Sequence, residues 1–457
     1  MKLTEPLLVK PVKEESFFKR VIYKTNWELI LASLGLVAIS FLMIYSATLN
    51  TGKPGIFISK QFFALVFGLV LMIIFSLVNY QIYQVYYKYF YVVSVILLIL
   101  VLIFGVSVRG TRAWIDFKFF NLQPTEIIKI FFIIFLSGLF DQNWETNNSF
   151  KKISLALISY FIITILVLLQ PDLSNAVLYF PIVLSIFYLA GVDRTFLGTL
   201  TSYFLLTSIL FLTKIYFSLS NISLFPKWVN TLYNSMSGSV KEFAIIIFII
   251  FTIILFIWWV IKNLKFNLPN IYLYLTLLVI ILSFISVIFA TKFVKMYQQK
   301  RIIAFIKPTA SPSDAGYQVI QTRIAIGSGR LFGKGLFKGT QTQLGFVPEK
   351  HTDFIFSLIA EELGFVGASI VILLYAIIIF QGINIMLTSR DSFGSLLACG
   401  ITSLFSFYFL INIGMCLGIL PVIGLPLPFV SYGGSNLVSS FIAIGLLNSV
   451  HLRKFIY

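Results

Sequence analysis

The chain reads as an all-α protein, a polytopic helical bundle of about twelve membrane crossings, and three observations carry that reading. Hydrophobic residues make up 59% of the sequence and charged residues 11%, with a mean hydropathy of +0.96, whereas a water-soluble domain is about a quarter charged. The apolar residues fall in runs near twenty long, the length that crosses about 30 Å of hydrocarbon as a helix. Lys and Arg crowd into alternate short loops, the asymmetry that orients membrane helices.

Taken in order, residues 1–26 form a basic, polar tail. The first apolar run is long enough to remain as a span, so no cleaved leader is expected. Spans are predicted at roughly 27–48, 56–78, 85–107, 124–141, 152–169, 173–191, 196–216, 242–262, 270–291, 354–378, 393–416 and 435–450, with residues 451–457 as a closing tail. One side carries Lys19, Arg20, Lys24, Lys151, Lys152, Arg194, Lys262, Lys265, Arg390, Arg453 and Lys454. The short loops opposite hold far fewer positive charges, which predicts both termini in the cytoplasm and residues 292–353 outside. Cys399 and Cys416 both fall within predicted spans, which excludes a disulfide framework and a Cys-based zinc site. No soluble domain, internal repeat or heptad array is visible, and no nucleic-acid partner is expected.

The segment from Thr291 to Asp353 is the one long hydrophilic stretch. It carries Lys292, Lys295, Lys300, Arg301, Lys307, Arg323, Arg330, Lys334, Lys338 and Lys350 against Asp314, Glu349 and Asp353. Long loops can translocate whatever their charge and rest on anionic lipid. The abundant Gly favours a polyanion site instead, because bare backbone lets N–H groups approach phosphate while Arg and Lys neutralise it. A nucleotide-binding P-loop is rejected. Ser328 to Leu331 stand where Gly is needed, and Gly335 follows Lys334 where Ser or Thr is needed.

Other polar groups gather near the same face. Glu349-Lys350-His351-Thr352-Asp353 offers hard oxygen ligands and an imidazole for a divalent cation, the one cofactor candidate, or a polar cap with Asp353 starting the next helix. The cap is favoured. Glu361 and Glu362 lie inside that span, where buried carboxylates signal function and require Lys or Arg partners. Arg109 to Trp114 precede Gln123-Pro124-Thr125-Glu126, with Lys129 on the Glu126 face at i, i+3. Gln170-Pro171-Asp172 forms a tight turn. Gly424 to Ser435 is too rich in Gly and Pro for plain helix, and irregular backbone at membrane depth implies a cavity or protein cover. Together these clusters describe a polar cavity opening outward.

The blocks RGTRAWIDFKFFNLQPTEIIKI, QPDLSNA, AGYQVIQTRIAIGSGRLFGKG, GTQTQLGFVPEKHTDFIFSLIAEELGF and LGILPVIGLPLPFVSYGGSN resemble, in order, the SEDS family of shape, elongation, division and sporulation proteins. The GTQTQ and GILPVIGLPLPFVSYGG stretches look more like its RodA branch than its FtsW branch. The resemblance implies a peptidoglycan glycosyltransferase of the bacterial cytoplasmic (inner) membrane. Such a protein polymerises lipid II for cell elongation and cell shape and releases undecaprenyl diphosphate. It works beside a class B penicillin-binding protein transpeptidase and other elongation-complex membrane proteins. The resemblance also implies a single transmembrane domain over 27–450, with about ten spans plus an inserted helix pair in roughly 217–291.

The family's catalytic Asp precedes Pro, and here Ser311 holds that position while Asp314 replaces a Gly three residues on. Serine alone is no effective base. Either Asp314 takes the role, or the chain polymerises weakly or not at all. Ala113 stands where an Arg commonly precedes the Trp, and Ser174-Asn175 replaces a usual Gly-Thr. The enzyme reading assigns Asp314 as base and Arg323, Arg330, Lys334 and Lys338 as diphosphate-side cations. It adds Trp114, Arg112, Glu126, Lys129, His351, Asp353 and Glu361 to the substrate site. A lipid-linked precursor flippase and a non-catalytic scaffold for the transpeptidase are the alternatives.

Overall fold

The structure, a computed structural model, describes residues 23–108, 111–116, 121–141, 150–219, 251–293 except 253, 257, 261 and 265–268, then 299, 301, 304–305, 315–343 and 350–454. Helices α1 (Trp27–Thr48), α2 (Pro54–Leu77), the short α3 (Gln81–Val85), α4 (Tyr87–Phe104), α5 (Pro124–Phe140), α6 (Phe150–Leu169), α7 (Leu173–Leu189) and α8 (Arg194–Leu219) follow one another. After them come α9 (Asn270–Phe293), α10 (Ala315–Ser328), α11 (Thr340–Gln343), α12 (Ile355–Thr388), α13 (Ser392–Cys416) and α14 (Gly434–Arg453). Among the described residues nine helices are long and apolar enough to cross a membrane, and α7 is a shorter apolar helix. The predicted span 242–262 begins outside the described residues.

Lengths and breaks follow from local chemistry. Asn26 accepts a hydrogen bond from Leu29 N and starts α1; Asp172 and Asp391 cap α7 and α13 in the same way, through Asn175 N and Gly394 N. Each side chain satisfies an amide that the first helical turn leaves open. Pro54 and Pro124 occupy the first turns of α2 and α5, where a missing N–H costs nothing. Helix α12 was expected to end near 378 but runs on to Thr388, and its backbone breaks at Gly364 (φ 68°, ψ −162°).

One region departs from the all-helical expectation. The predicted span 85–107 stops at Phe104, and the chain turns into a small antiparallel sheet, β1 (Val106–Val108), β2 (Thr111–Asp116) and β3 (Asn121–Leu122), ordered β1-β2-β3. Val106 pairs with Trp114 and Ile115 with Leu122. Strand pairing satisfies backbone groups that neither helix nor lipid would satisfy at that depth. Arg112 staples the turn, donating to Gly105 O at 2.9 Å and Ile103 O at 2.9 Å.

The bundle has a core and a lipid-facing rim. Helix α14 is 94% buried along its apolar window, whereas α2 and α4 are 17% buried. Its two ends are also distinct. At the terminal end, Asn26 N–H and Nδ2 donate to Asn448 and Gln381. Arg453 there binds the Ser76 and Leu77 carbonyls at the foot of α2. At the other end, Gln61 of α2 faces the start of α14 through Ser431 O and Gly433 N.

Candidate active site

A cavity of about 2060 Å3 opens at the end remote from the termini. Its polar part is built from segments far apart in sequence. Trp114 comes from β2, Glu126 from α5, and Asp172, Ser174 and Asn175 from the start of α7. His351 and Asp353 come from the approach to α12, and residues 421–426 and 432–436 from the irregular stretch before α14 and its first turn. Lys60 and Arg301 supply positive charge to its wall.

Beneath the cavity lies a buried ionic network. Lys129 Nζ sits 3.0 Å from Glu126 Oε1, on the shared face that the i, i+3 spacing predicts. The same ammonium donates to Asn175 Oδ1 at 2.7 Å and to the Tyr408 hydroxyl. Tyr408 and Asn436 in turn donate to Glu126 Oε2 at 2.9 and 3.0 Å. Asn175 Nδ2 and Gln123 Nε2 donate to Asp172 Oδ2 at 2.7 and 2.9 Å. Four helices, α5, α7, α13 and α14, are thereby joined by groups that are all buried except the half-buried Gln123. A buried ion pair persists only with such complete hydrogen bonding. Glu126 and Asn436 both reach the cavity wall.

The irregular stretch before α14 is held from above and below. Asn412 Nδ2 donates to Asp353 O at 2.9 Å and Leu425 O at 2.7 Å. Ser431 Oγ donates to Thr352 O at 2.6 Å, and Tyr432 N to His351 O at 2.8 Å. Gly424 has φ +85°, a conformation open to glycine, and a side chain there would meet Arg301 Nη1 at 2.9 Å and Asp353 Oδ2 at 3.1 Å. The Arg301 guanidinium and the Asp353 carboxylate thus converge on bare backbone at the mouth of the cavity.

The structure moves several expected site residues elsewhere. Asp353 was expected to cap the next helix; the N-cap is Phe354, with no side-chain bond, and Asp353 turns to the cavity instead. Arg323, Arg330, Lys334, Lys338 and Glu361 do not line the cavity, and neither does Arg112. Arg323 donates to Gly418 O at 2.8 Å. Lys334 pairs with the fully buried Glu361 at 2.9 Å and also binds Thr340. Glu362 accepts from Ser46 at 2.5 Å and from Phe337 N at 3.1 Å. The Gly-rich stretch serves the same fastening. Lys334 N and Gly335 N donate to the carbonyls of Glu361 and Glu362, and a side chain at Gly333 would strike Glu362 O at 2.1 Å.

The Gly and Lys pattern, expected to cradle phosphate, also clasps this segment onto the break in α12. The adjacent Lys350 is half-buried, which pushes its ammonium below the ordinary value while Glu362 and Glu361 draw it back up. Trp114, Glu126, His351 and Asp353 do line the cavity, and Lys129 lies beneath it. Ser311, Asp314 and Glu349 lie outside the described residues. No group of three or more metal-binding side chains occurs among the described residues. Sequence reasoning missed Tyr408 and Asn436, whose polar character inside apolar helices was the available signal. It also left Arg301 undistinguished within the basic run.

Fold and site define an integral membrane protein built around a charged cavity at one end of a helical bundle. The chain belongs to the FtsW/RodA/SpoVE family of cell cycle proteins, whose model matches residues 25–241 and 241–455. It is 32% identical over 443 residues to the peptidoglycan glycosyltransferase RodA of Treponema pallidum, covering 94% of this chain and 98% of that one. It is 29% identical over 438 residues to the peptidoglycan glycosyltransferase MrdB of Escherichia coli K12, covering 94% and 96%. Two solved structures share the fold at 22% identity. One, from work on the structural coordination of polymerization and crosslinking by a peptidoglycan synthase complex, has a TM-score of 0.65 over 95% of this chain and 99% of that one. Thermus thermophilus RodA has a TM-score of 0.58, covering 95% and 98%.

Proposed function

We propose that this protein is a peptidoglycan glycosyltransferase that polymerises lipid II and releases undecaprenyl diphosphate. The observation that carries the reading is one cavity whose polar end gathers Glu126, Asp172, His351, Asp353 and Arg301 while the rest of its wall is mostly apolar. A sugar carried on a lipid diphosphate has that same division. The activity for which its relatives are named agrees with this chemistry.

Joining one sugar to another needs a base for the attacking hydroxyl and positive charge for the departing diphosphate. Arg301 is the cation that best suits the second role. It lines the cavity and has no ion-pair partner among the described residues. For the first role Asp314 is the candidate, with Asp353 in reserve because its carboxylate already faces the cavity. The charge asymmetry of the short loops orients the protein with both termini cytoplasmic and the cavity on the outer face of the cytoplasmic membrane. A class B penicillin-binding protein is the partner proposed to cross-link the product.

The test is purified protein, with and without its transpeptidase, given labelled lipid II and assayed for glycan chains. Wild type should make chains, and Asp314→Asn should lose about 10²–10⁴-fold in rate. Near wild-type synthesis by that variant moves the base to Asp353. No synthesis by wild type with its partner present favours the scaffold. The buried Glu126–Lys129 pair favours a second reading, a flippase for the same lipid, which movement of labelled lipid II across vesicles without glycan synthesis would support.

A further inference from the structure

Arg301 shares the cavity wall with a second cation. Lys60, in the second turn of α2, also lines the cavity. Its side chain is exposed and makes no hydrogen bond or ion pair among the described residues. Beside it stands a wall of rings. Phe57, at i, i+3 from Lys60 and so on the same face of α2, meets Tyr432 at 5.2 Å and His351 at 5.6 Å between centroids. His351 meets Tyr432 at 5.8 Å. Aromatic clusters in a bundle ordinarily fill a core. These three rings are instead half-buried, and all of them line the cavity.

The wall is held from behind. Tyr432 N donates to His351 O at 2.8 Å, which locks two of the rings together through their backbones. Gln61, next to Lys60 and fully buried, donates to Ser431 O at 3.5 Å and accepts from Gly433 N at 3.3 Å. That bridge fixes the rotation of α2 that turns Phe57 and Lys60 to the cavity. The rings and the Arg301 end are separate places. Arg301, Asp353 and Ser174 converge on Gly424, and His351 precedes Asp353 by two residues, a reach of at most about 7 Å. The cavity therefore offers two cations in different surroundings, one beside a carboxylate and bare backbone, the other beside three rings.

We infer that Lys60, Phe57, His351 and Tyr432 seat the substrate that accepts the sugar, while Arg301 faces the substrate that donates it. The inference deepens the proposed function and rests on it. In that reaction the accepting hydroxyl oxygen bonds the donor's anomeric carbon. The bond from that carbon to the diphosphate breaks and leaves its electron pair on the diphosphate, and the hydroxyl proton passes to the base. Only the donor's diphosphate gains charge in this step, which suits a planar guanidinium fixed beside the reacting bond. The acceptor's diphosphate is unchanged and needs only to be held, a task for one ammonium on a flexible stem. The rings offer apolar surface and weak C–H contacts to the face of the accepting sugar.

The test uses the full chain in nanodiscs of neutral phosphatidylcholine and two probes. A lipid II analogue with its sugar carbon-linked to the diphosphate can accept but not donate. Lipid II with its accepting hydroxyl blocked can donate but not accept. Lys60→Gln should raise the KM for the acceptor probe about tenfold, the loss of one charge-assisted hydrogen bond, with kcat, the donor's KM and the melting temperature unchanged. Phe57→Leu should raise the same constant, and Phe57→Tyr should restore it. A rise in the donor's KM instead, or no change in either constant, overturns the inference. So does equal competition from added phosphatidylglycerol, which would make Lys60 a contact for bulk anionic lipid. Native mass spectrometry with the acceptor probe alone counts the seats without catalysis. Two molecules on wild type and one on Lys60→Gln, in a protein that couples nothing, keep the second seat and remove the glycosyltransferase reading; a single molecule on wild type removes the seat.

Discussion

Two buried carboxylate clusters sit in the helices of this protein, and they do different work. Glu126 and its partner Lys129 lie under the cavity, joined to α7, α13 and α14 by side-chain hydrogen bonds. Glu361 and Glu362 lie inside α12, and their oxygens hold the segment that follows α10. By sequence alone both are ionisable residues in membrane helices, where function is the default reading. Geometry separates them. One cluster opens on a cavity, and the other is closed over by the backbone it binds. Burial of charge therefore locates a site only when the charge also faces space that a ligand can enter.

The largest expected effect tests the first cluster. Lys129→Met would leave Glu126 buried without its counter-charge, and breaking such a pair costs about 3–5 kcal/mol. The variant should melt well below wild type in detergent, and its glycan synthesis should be lost. A melting temperature within a degree of wild type would mean that the network is not what joins the four helices.

Next comes the mouth of the cavity. Arg301→Gln should slow glycan synthesis by about 10²–10³-fold, the range seen when one preorganised electrostatic contact to a reacting group is removed, with melting unchanged. A smaller loss than that of Lys334→Gln would return the diphosphate role to the segment after α10.

The clasp should be weaker than the network, because Lys334 remains 25% exposed. Glu361→Gln keeps hydrogen bonding to Gln341 N and removes the charge, so it should cost about 1–3 kcal/mol. Faster proteolysis between residues 329 and 343, at unchanged lipid binding, is the expected signature; reduced lipid binding would make Glu361 part of the site after all. Arg323→Gln should do least. Its loss is one exposed hydrogen bond to Gly418 O, about 0.5–1.5 kcal/mol, and synthesis should stay within a factor of two of wild type.

The helical frame was legible in sequence because bilayer thickness imposes a length that composition reveals. The pair Glu126 and Lys129 was legible because i, i+3 spacing shares a face whatever surrounds it. What escaped depends on convergence. Tyr408 and Asn436 meet Glu126 from positions 282 and 310 residues away, and no local pattern announces that meeting. The surroundings of residues 327–338 escaped for the same reason: their charge and flexibility are visible, whereas their partners Glu361 and Glu362 are reached only after the chain has folded back. The strands after Phe104 were missed because an apolar run does not state where it ceases to be helical.

The break at Gly364 gives α12 a mechanical character. The turns before it carry Glu361 and Glu362, which grip residues 333–341, and they begin beside His351 and Asp353. The turns before the break, Ile355 to Glu362, are all buried, whereas Phe365 and Val366 just after it are 66% and 41% exposed. The break is thus a fixed joint seated in the core, and one short helical stretch both anchors residues 333–341 and sets where Asp353 meets the cavity.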